Sequence, residues 1–297
     1  MKSRIIVSGV TDVGPKRDQN QDNYYVFGKI KDASVVHDEV EEERVCGSIE
    51  IIAVFDGMGG EHDGEKATLA AAQSMDVLKC ELENNDAIEE NSLNVALKRY
   101  YEFFKRRLQT NLHDYPTGND VCGTTCAMIV LSQSSIVPIW IGDSRIYLFR
   151  NGNLYQITKD HTFAQERIDS GELKAEEAKK TPAWHMLTKY MGAEEMFFSI
   201  GEKIDVQDGD RFILCSDGLS DMYDNAQLIE LLKEDARGAF QKIQLDINEN
   251  GEDNCTFIIV DIIRDEEYSI ENAINGVKKT SEKLIKTIKD KCLSINA

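Results

Sequence analysis

The chain has 297 residues, 41% of them hydrophobic, with 34 Lys and Arg against 53 Asp and Glu, a formal charge of -19 at pH 7. That apolar content suffices for one sizeable core, and the acidic balance offers no basic stripe to a phosphate backbone, which argues against nucleic acid as a partner. No apolar run is long enough to span a membrane or to act as a secretory leader, so a cytoplasmic protein without membrane attachment is expected.

Strand-like runs rich in Ile, Val and Phe open the chain: RIIVSGV at 4–10, NYYVF at 23–27 and IEIIAVF at 49–55. The acidic run DEVEEE at 38–43, between the second and third, reads as a solvated loop rather than a docking site. Helical periodicity covers 64–80 and 91–112, followed by strands at 124–131, 136–142 and 145–149, the last turning through the hairpin signal Asn151-Gly152. Residues 158–192 are polar, with short helical pieces and no strand character, as in a flap or a plain surface insertion. Strands at 211–216 and 256–263 bracket helical spacing near 225–245. Residues 265–297 place Ile270, Ile274, Val277, Leu284, Ile288 and Ile295 at broadly helical intervals, predicting an amphipathic helix that packs on a domain spanning 1–264. Strands in runs and helices in pairs point to an antiparallel α+β architecture rather than alternating βαβ units. Seven cysteines, mostly among apolar neighbours and without zinc-ligand spacing, read as buried reduced thiols.

Asp-Gly occurs four times, and alone it signals only a turn. Asp208 precedes a strand and Asp63 sits in a polar glycine loop, so both read as turn residues. Asp56 and Asp217 instead end apolar runs, IIAVF and RFILCS, which would hold their carboxylates on rigid elements. Asp253 precedes the run TFIIV, and Asp143 sits at the turn in IWIGDSRIYLF. Acids at apolar strand ends stay charged only if something neutralises them. Oxygen-only donors favour Mg²⁺ or Mn²⁺ over Zn²⁺, the rival reading being four unrelated turn acids. Near the N-terminus, TDVGPKRDQNQD offers Arg17 and Asp22, either a surface ion-pairing arginine or a phosphate-binding fork beside an acid.

In order, the motifs TDVGPKRDQNQD, VFDGMGGEHDGEKAT, CGTT, IGDSRIYLF, KDHTFAQERIDSGEL, LCSDGLSD and EDNCTFIIV resemble the metal-dependent type 2C protein serine/threonine phosphatases, in particular the bacterial branch. The likeness covers about residues 5–263. It implies a four-layer sandwich, two stacked antiparallel sheets flanked by helix pairs, with metals in a channel at one end of the sheets. It further implies that Asp56 bridges two Mn²⁺ or Mg²⁺ ions, with the Gly57 carbonyl on one and Asp217 and Asp253 completing the other. Asp22 corresponds to an outer ligand acting through water, Asp143 with Asp217 to the holder of a weaker third ion, and Arg17 to the phosphate-binding arginine. Glycines 59 and 60 would keep the backbone tight around the ions.

The activity implied is hydrolysis of phosphoserine and phosphothreonine in proteins by a metal-bridging water, without a phosphoenzyme, acting as a monomer on the substrates of a cytosolic kinase. Cys215 is then a packed thiol, not a nucleophile. The sequence departs from the family pattern in several places: Met58 stands where some members carry histidine, with His62 four residues on. Gln21 stands where an acid is frequent, Trp184-His185 where Arg-Asn is typical, and residues 29–47 form an insertion relative to shorter bacterial members. A partner-binding pseudophosphatase and a hydrolase of small phosphoesters are the rival functions, the former opposed by the presence of Asp56, Asp217 and Asp253.

Overall fold

The computed structural model describes residues 3–59, 63–84, 89–112, 122–195 and 197–264. Strands β1 (Ser3–Asp12), β2 (Asn23–Val26), β3 (His37–Val45), β4 (Glu50–Phe55) and the two-residue β5 (Gly57–Met58) precede helices α1 (Asp63–Glu83) and α2 (Glu90–Leu112). Strands β6 (Gly123–Thr124), β7 (Cys126–Leu131), β8 (Ser135–Ile141), β9 (Arg145–Arg150) and β10 (Asn153–Gln156) follow. Short helices α3 (Phe163–Asp169) and α4 (Ala175–Ala178) and a 3-10 turn at Pro182–His185 lead to β11 (Ser199–Ile200), β12 (Ile204–Asp205) and β13 (Arg211–Cys215). Helices α5 (Asp217–Ser220), α6 (Asn225–Leu232) and α7 (Ala236–Asn250) precede the final strand, β14 (Cys255–Arg264).

One antiparallel sheet has the order β10-β9-β13-β14-β1-β3, and the second has the order β11-β8-β7-β4-β2 with β12 also paired to β8. The two-residue periodicity of the strands dictates how they stack. Along β4, Ile52 and Val54 face the other sheet, where they meet Phe212, Leu214, Ile258 and Val260. Their neighbours Ile51, Ala53 and Phe55 face the opposite way, onto Met75 and Leu78 of α1 and Tyr100 and Phe104 of α2. In β14 the same alternation sends Phe257 and Ile259 to Leu228 of α6 and to Phe240 and Ile243 of α7. Both sheets are therefore apolar on both faces, and the layers run helix, sheet, sheet, helix, the α+β sandwich expected from the sequence. The Asn151-Gly152 hairpin closes as expected, with both residues at positive φ (52° and 77°).

The structure corrects four local expectations. The acidic run at 38–43 is not a loop: it lies in β3, an edge strand pairing with β1 from Arg4↔Val45 to Asp12↔His37. Its alternation was hidden because only Val40 points into the core while the glutamates line an outer edge, where charge discourages edge-to-edge association. The run 124–131 breaks at Thr125, whose N–H donates to the Asp56 carbonyl instead of continuing a ladder. The helical stretch at 225–245 is two helices, because Asp235 caps a new one by accepting the Gly238 N–H at 2.8 Å. Asp63 is the first residue of α1 rather than a turn residue. The amphipathic helix expected over 265–297 lies outside the described residues.

Candidate active site

The acids singled out in the sequence converge where strands from both sheets end. Asp56 follows β4, and its backbone is held on both sides: its N–H donates to Thr125 Oγ1 (3.0 Å), and its carbonyl accepts the Thr125 N–H and Thr124 Oγ1 (both 2.9 Å). Next to it, a Cβ on Gly57 would lie 2.5 Å from the Gly64 carbonyl oxygen and 2.6 Å from that of Gln21, so only glycine lets these three backbones meet. Asp143 occupies the turn between β8 and β9. Its neighbour Ser144 bonds Thr125 Oγ1 at 2.6 Å, so the hydroxyl that holds Asp56 also ties in the Asp143 turn.

Asp217 opens α5 directly after β13, and Ser216, one residue earlier, donates its hydroxyl to Asp22 Oδ2 at 2.7 Å. Asp22 is 1% exposed, and its N–H donates to Asn20 Oδ1 at 3.0 Å. Asp253 precedes β14 and accepts from Arg17 Nη2 at 2.8 Å, an ion pair at the rim with both partners half-exposed. Arg17, Asp56, Gly57, Asp217 and Asp253 line one open cavity of 610 Å³, with Met58 and Gly59 beside them. Asp22 and Asp143 do not line it; both are buried, at 1% and 8% exposure. Gly60 and His62 lie outside the described residues.

The electrostatics are those of crowded carboxylates. Burial, then the charges of Asp22, Asp217 and Asp143, drive the Asp56 carboxyl well above the ordinary range, and a hydrogen bond to Asp217 adds to this. Asp143 is raised likewise, by burial and then by Asp217 and Asp160. Burial pushes Asp22 to about 7 against the hydrogen bonds of Ser216 and Thr256, which pull it down, with Asp217 and Asp253 pushing it further up. All donors here are oxygens, and burial with mutual repulsion disfavours charge on Asp22, Asp56 and Asp143, a set suited to hard divalent cations. Cys215 is fully buried with its thiol pushed to about 12, a packing group and not a nucleophile.

The 158–192 segment reaches this site. Arg145 grips Asp160 through Nε and Nη2 at 2.6–3.1 Å and places its guanidinium 5.7 Å from the centre of the Trp184 ring. Trp184 Nε1 donates to Asp221 at 3.2 Å. This pins the 3-10 turn so that His185 Nδ1 lies 3.4 Å from Asp217 Oδ2 and Nε2 lies 3.7 Å from Asp221 Oδ2. The hydrogen bond to Asp217 raises the imidazole to about 9 against the opposing effect of burial, with the charges of Asp221, Asp217 and Asp143 adding to the rise. One ligand atom each from His185, Asp217 and Asp221 lies within 4.8 Å of the others, a second group with donors for a cation.

A model of the protein phosphatase 2C family matches residues 29–245. The chain belongs to that family. The match includes Asp56, Asp143 and Asp217 and leaves Arg17, Asp22 and Asp253 outside it. To the serine/threonine protein phosphatase PstP of Mycobacterium tuberculosis the chain is 30% identical over 224 residues, 75% of this chain but only 42% of that protein's length. To the serine/threonine phosphatase stp of Listeria innocua it is 29% identical over 256 residues, 84% of this chain and 93% of the other. The crystal structure of M. tuberculosis PstP/Ppp matches with a TM-score of 0.70 at 25% identity, covering 88% of this chain and 100% of that one. The PstP catalytic domain in complex with two manganese ions gives 0.66 at 25% identity over the same shares.

Within this protein phosphatase 2C chain, several residues that build the site were not singled out in the sequence. Asn254 joins the start and end of the Arg17 loop: its Nδ2 donates to the carbonyls of Val13 (2.9 Å) and Gln19 (2.8 Å), and its Oδ1 accepts the Gln21 N–H (2.8 Å). Thr125 and Ser216 do the same for Asp56 and Asp22. For Asn254 and Ser216 the available signal was adjacency to Asp253 and Asp217, and for Thr125 its place in the CGTT motif. His185 was noted as a departure from the family pattern, but its contact with Asp217 had no sequence signature.

Proposed function

We propose that this chain is a metal-dependent phosphatase that hydrolyses phosphoserine and phosphothreonine in proteins. The observation that carries the reading is the convergence of Asp22, Asp56, Asp143 and Asp217 from separate strand ends, three of them with carboxyls raised by burial and mutual repulsion. In this reading Asp56, the Gly57 carbonyl, Asp217 and Asp253 would hold two divalent cations, Asp22 would be an outer ligand, and Asp143 with Asp217 would hold a weaker third. Mn²⁺ or Mg²⁺ fits the oxygen-only donors, and the manganese complex of the PstP catalytic domain supports the first. Bound there, such ions would supply Lewis acidity, activating water and offsetting charge on the phosphoryl oxygens.

The chain's own residues do the rest. Arg17, held at the rim by Asp253, offers its planar fork to the phosphoryl oxygens and orients the ester over Asp56. The clamp of Thr124 and Thr125 on the Asp56 backbone fixes the carboxylate before substrate arrives, so little reorganisation is required during reaction. The proposal extends to a monomer acting on the substrates of a cytosolic serine/threonine kinase. The free thiols among the described cysteines suit a reducing compartment, and no described helix is long and apolar enough to cross a membrane.

The test is phosphate release from a phosphothreonine peptide with Mn²⁺, beside Asp217→Asn and beside nucleotides as substrates. Activity lost in the variant and confined to the peptide is the expected result. Equal inertness of both proteins at saturating metal refutes the enzymatic reading, and preference for nucleotides refutes the protein-substrate reading.

A further inference from the structure

The segment between β2 and β3 contains a charged group that the proposed chemistry does not use. Lys31 is 0% exposed. Its ammonium donates to the carbonyls of Asn20 (2.9 Å) and Val35 (3.3 Å). Its backbone is held in turn by Asn23, whose Oδ1 accepts the Lys31 N–H at 3.0 Å and whose Nδ2 donates to the Lys31 carbonyl at 3.2 Å. Lys31 thus touches the chain on both sides of Asp22, two residues before it and one after. Asn20, the residue gripped by the ammonium, accepts the Asp22 N–H on Oδ1 and donates Nδ2 to Thr11 Oγ1 (3.0 Å) and to the Val36 carbonyl (2.9 Å).

Burying an ammonium is costly unless its charge is used, and an apolar side chain of the same length would fill the space without that cost. The charges that face Lys31 are carboxylates: Glu65 from α1, Asp22 from the loop, Asp38 from β3 and Asp32 from its own turn. The same segment is fastened again further along. His37 Nδ1 lies 2.6 Å from Asp12 Oδ2, Asp12 Oδ1 accepts the Gly14 N–H at 2.7 Å, and Tyr24 donates its hydroxyl to Asp38 at 2.7 Å. The residues from Lys31 to Asp38 therefore fasten both flanks of the loop that carries Arg17 and Asp22.

We propose that Lys31 is a positioning residue for Asp22, a buried cation that fixes the Asn20–Asn23 turn so that the Asp22 carboxylate is presented to the acid cluster in one orientation. The inference rests on the reading of Asp22 as an outer ligand of the divalent cations. Lys31→Met keeps the volume and removes the charge and the Asn20 contact. Mn²⁺ binding measured by calorimetry should weaken by about tenfold, the size of effect typical for residues that orient metal ligands. At saturating Mn²⁺ the KM for a phosphothreonine peptide should stay within about twofold of wild type, because the Arg17 contacts are untouched. Lys31→Gln, which keeps a donor for the Asn20 carbonyl, should recover part of the affinity.

Three results overturn the proposal. Unchanged Mn²⁺ affinity with only a lower melting temperature makes Lys31 a structural residue. Tighter Mn²⁺ binding makes it a mere electrostatic competitor of the ion. Failure of both variants to fold in Mn²⁺ also assigns it to the fold alone. If wild type itself binds no Mn²⁺, the functional reading fails first, an outcome distinguishable from all three.

Discussion

Asp22→Asn should stabilise the metal-free protein while impairing the enzyme. In the folded chain the Asp22 carboxyl is displaced from 3.8 to about 7, chiefly by burial. At about 1.4 kcal/mol per pH unit, ionising it in place costs roughly 4 kcal/mol at pH 8. Asparagine removes that cost and can still accept the Ser216 hydroxyl. Its buried amide lacks an assured acceptor, which takes back about 1–3 kcal/mol. The net gain is about 2 kcal/mol, or roughly 4–8 °C in melting temperature by the scaling for domains somewhat smaller than this chain. The pH dependence follows from the sign of the shift. Because the folded pKa lies above the unfolded one, the cost is fully present above pH 7, shrinks as the folded protein takes up the proton, and is gone below 3.8. Thermal melts in EDTA at pH 8 and pH 5 should therefore show a variant advantage at pH 8 that narrows at pH 5. Added Mn²⁺ should raise wild type more than the variant. An Asp22→Asn protein that melts at or below wild type in EDTA at pH 8 would refute the claim that burial makes an ionised Asp22 costly in the metal-free protein.

Arg17→Ala should lower kcat/KM on a phosphopeptide by about 100-fold, and Arg17→Lys should restore only part of it because a point charge cannot replace the bidentate fork; full rescue by lysine would contradict the assigned role. Gly57→Ala places a methyl 2.5 Å from the Gly64 carbonyl oxygen, so it should cost at least about 2 kcal/mol of stability in urea melts together with metal affinity, and an alanine variant of normal stability would show that the three backbones can separate freely. His161 accepts the Gly142 N–H on Nδ1 (3.1 Å) and lies 2.9 Å from Ser199 Oγ through Nε2, with burial and then the charge of Lys189 lowering it to about 4. A depressed folded pKa gives stability that is present above 6.5 and lost as pH falls through about 4. His161→Gln should therefore flatten the acid limb of the stability profile measured by denaturant titration, and an unchanged limb would show that the imidazole is not held neutral.

Much of this architecture was legible in the sequence because apolar alternation survives where a strand is buried on both faces, as in β4 and β14. It was not legible in β3, where one inward valine among glutamates gives no periodic signal. The two-residue ladder of β5 and β6 could not be read either, since two residues carry no period. The acids of the site stood out because each terminates or precedes an apolar run. Their supports did not: Ser216 reaches Asp22 across 194 positions, a pairing created by the stacking of the two sheets, and the Arg17–Asp253 pair, 236 positions apart, forms because β1 and β14 lie side by side in one sheet. Lys31 was hidden for a related reason, as a lysine in a polar stretch looks solvated until the fold closes over it.

A crystal structure of the protein soaked in Mn²⁺, with anomalous diffraction to locate the ions, tests the central claim most directly. Two strong peaks beside Asp56, with Asp217 and Asp253 in their coordination shells, are the predicted result. A crystal with no ion there, or with one held only by His185, Asp217 and Asp221, would contradict it.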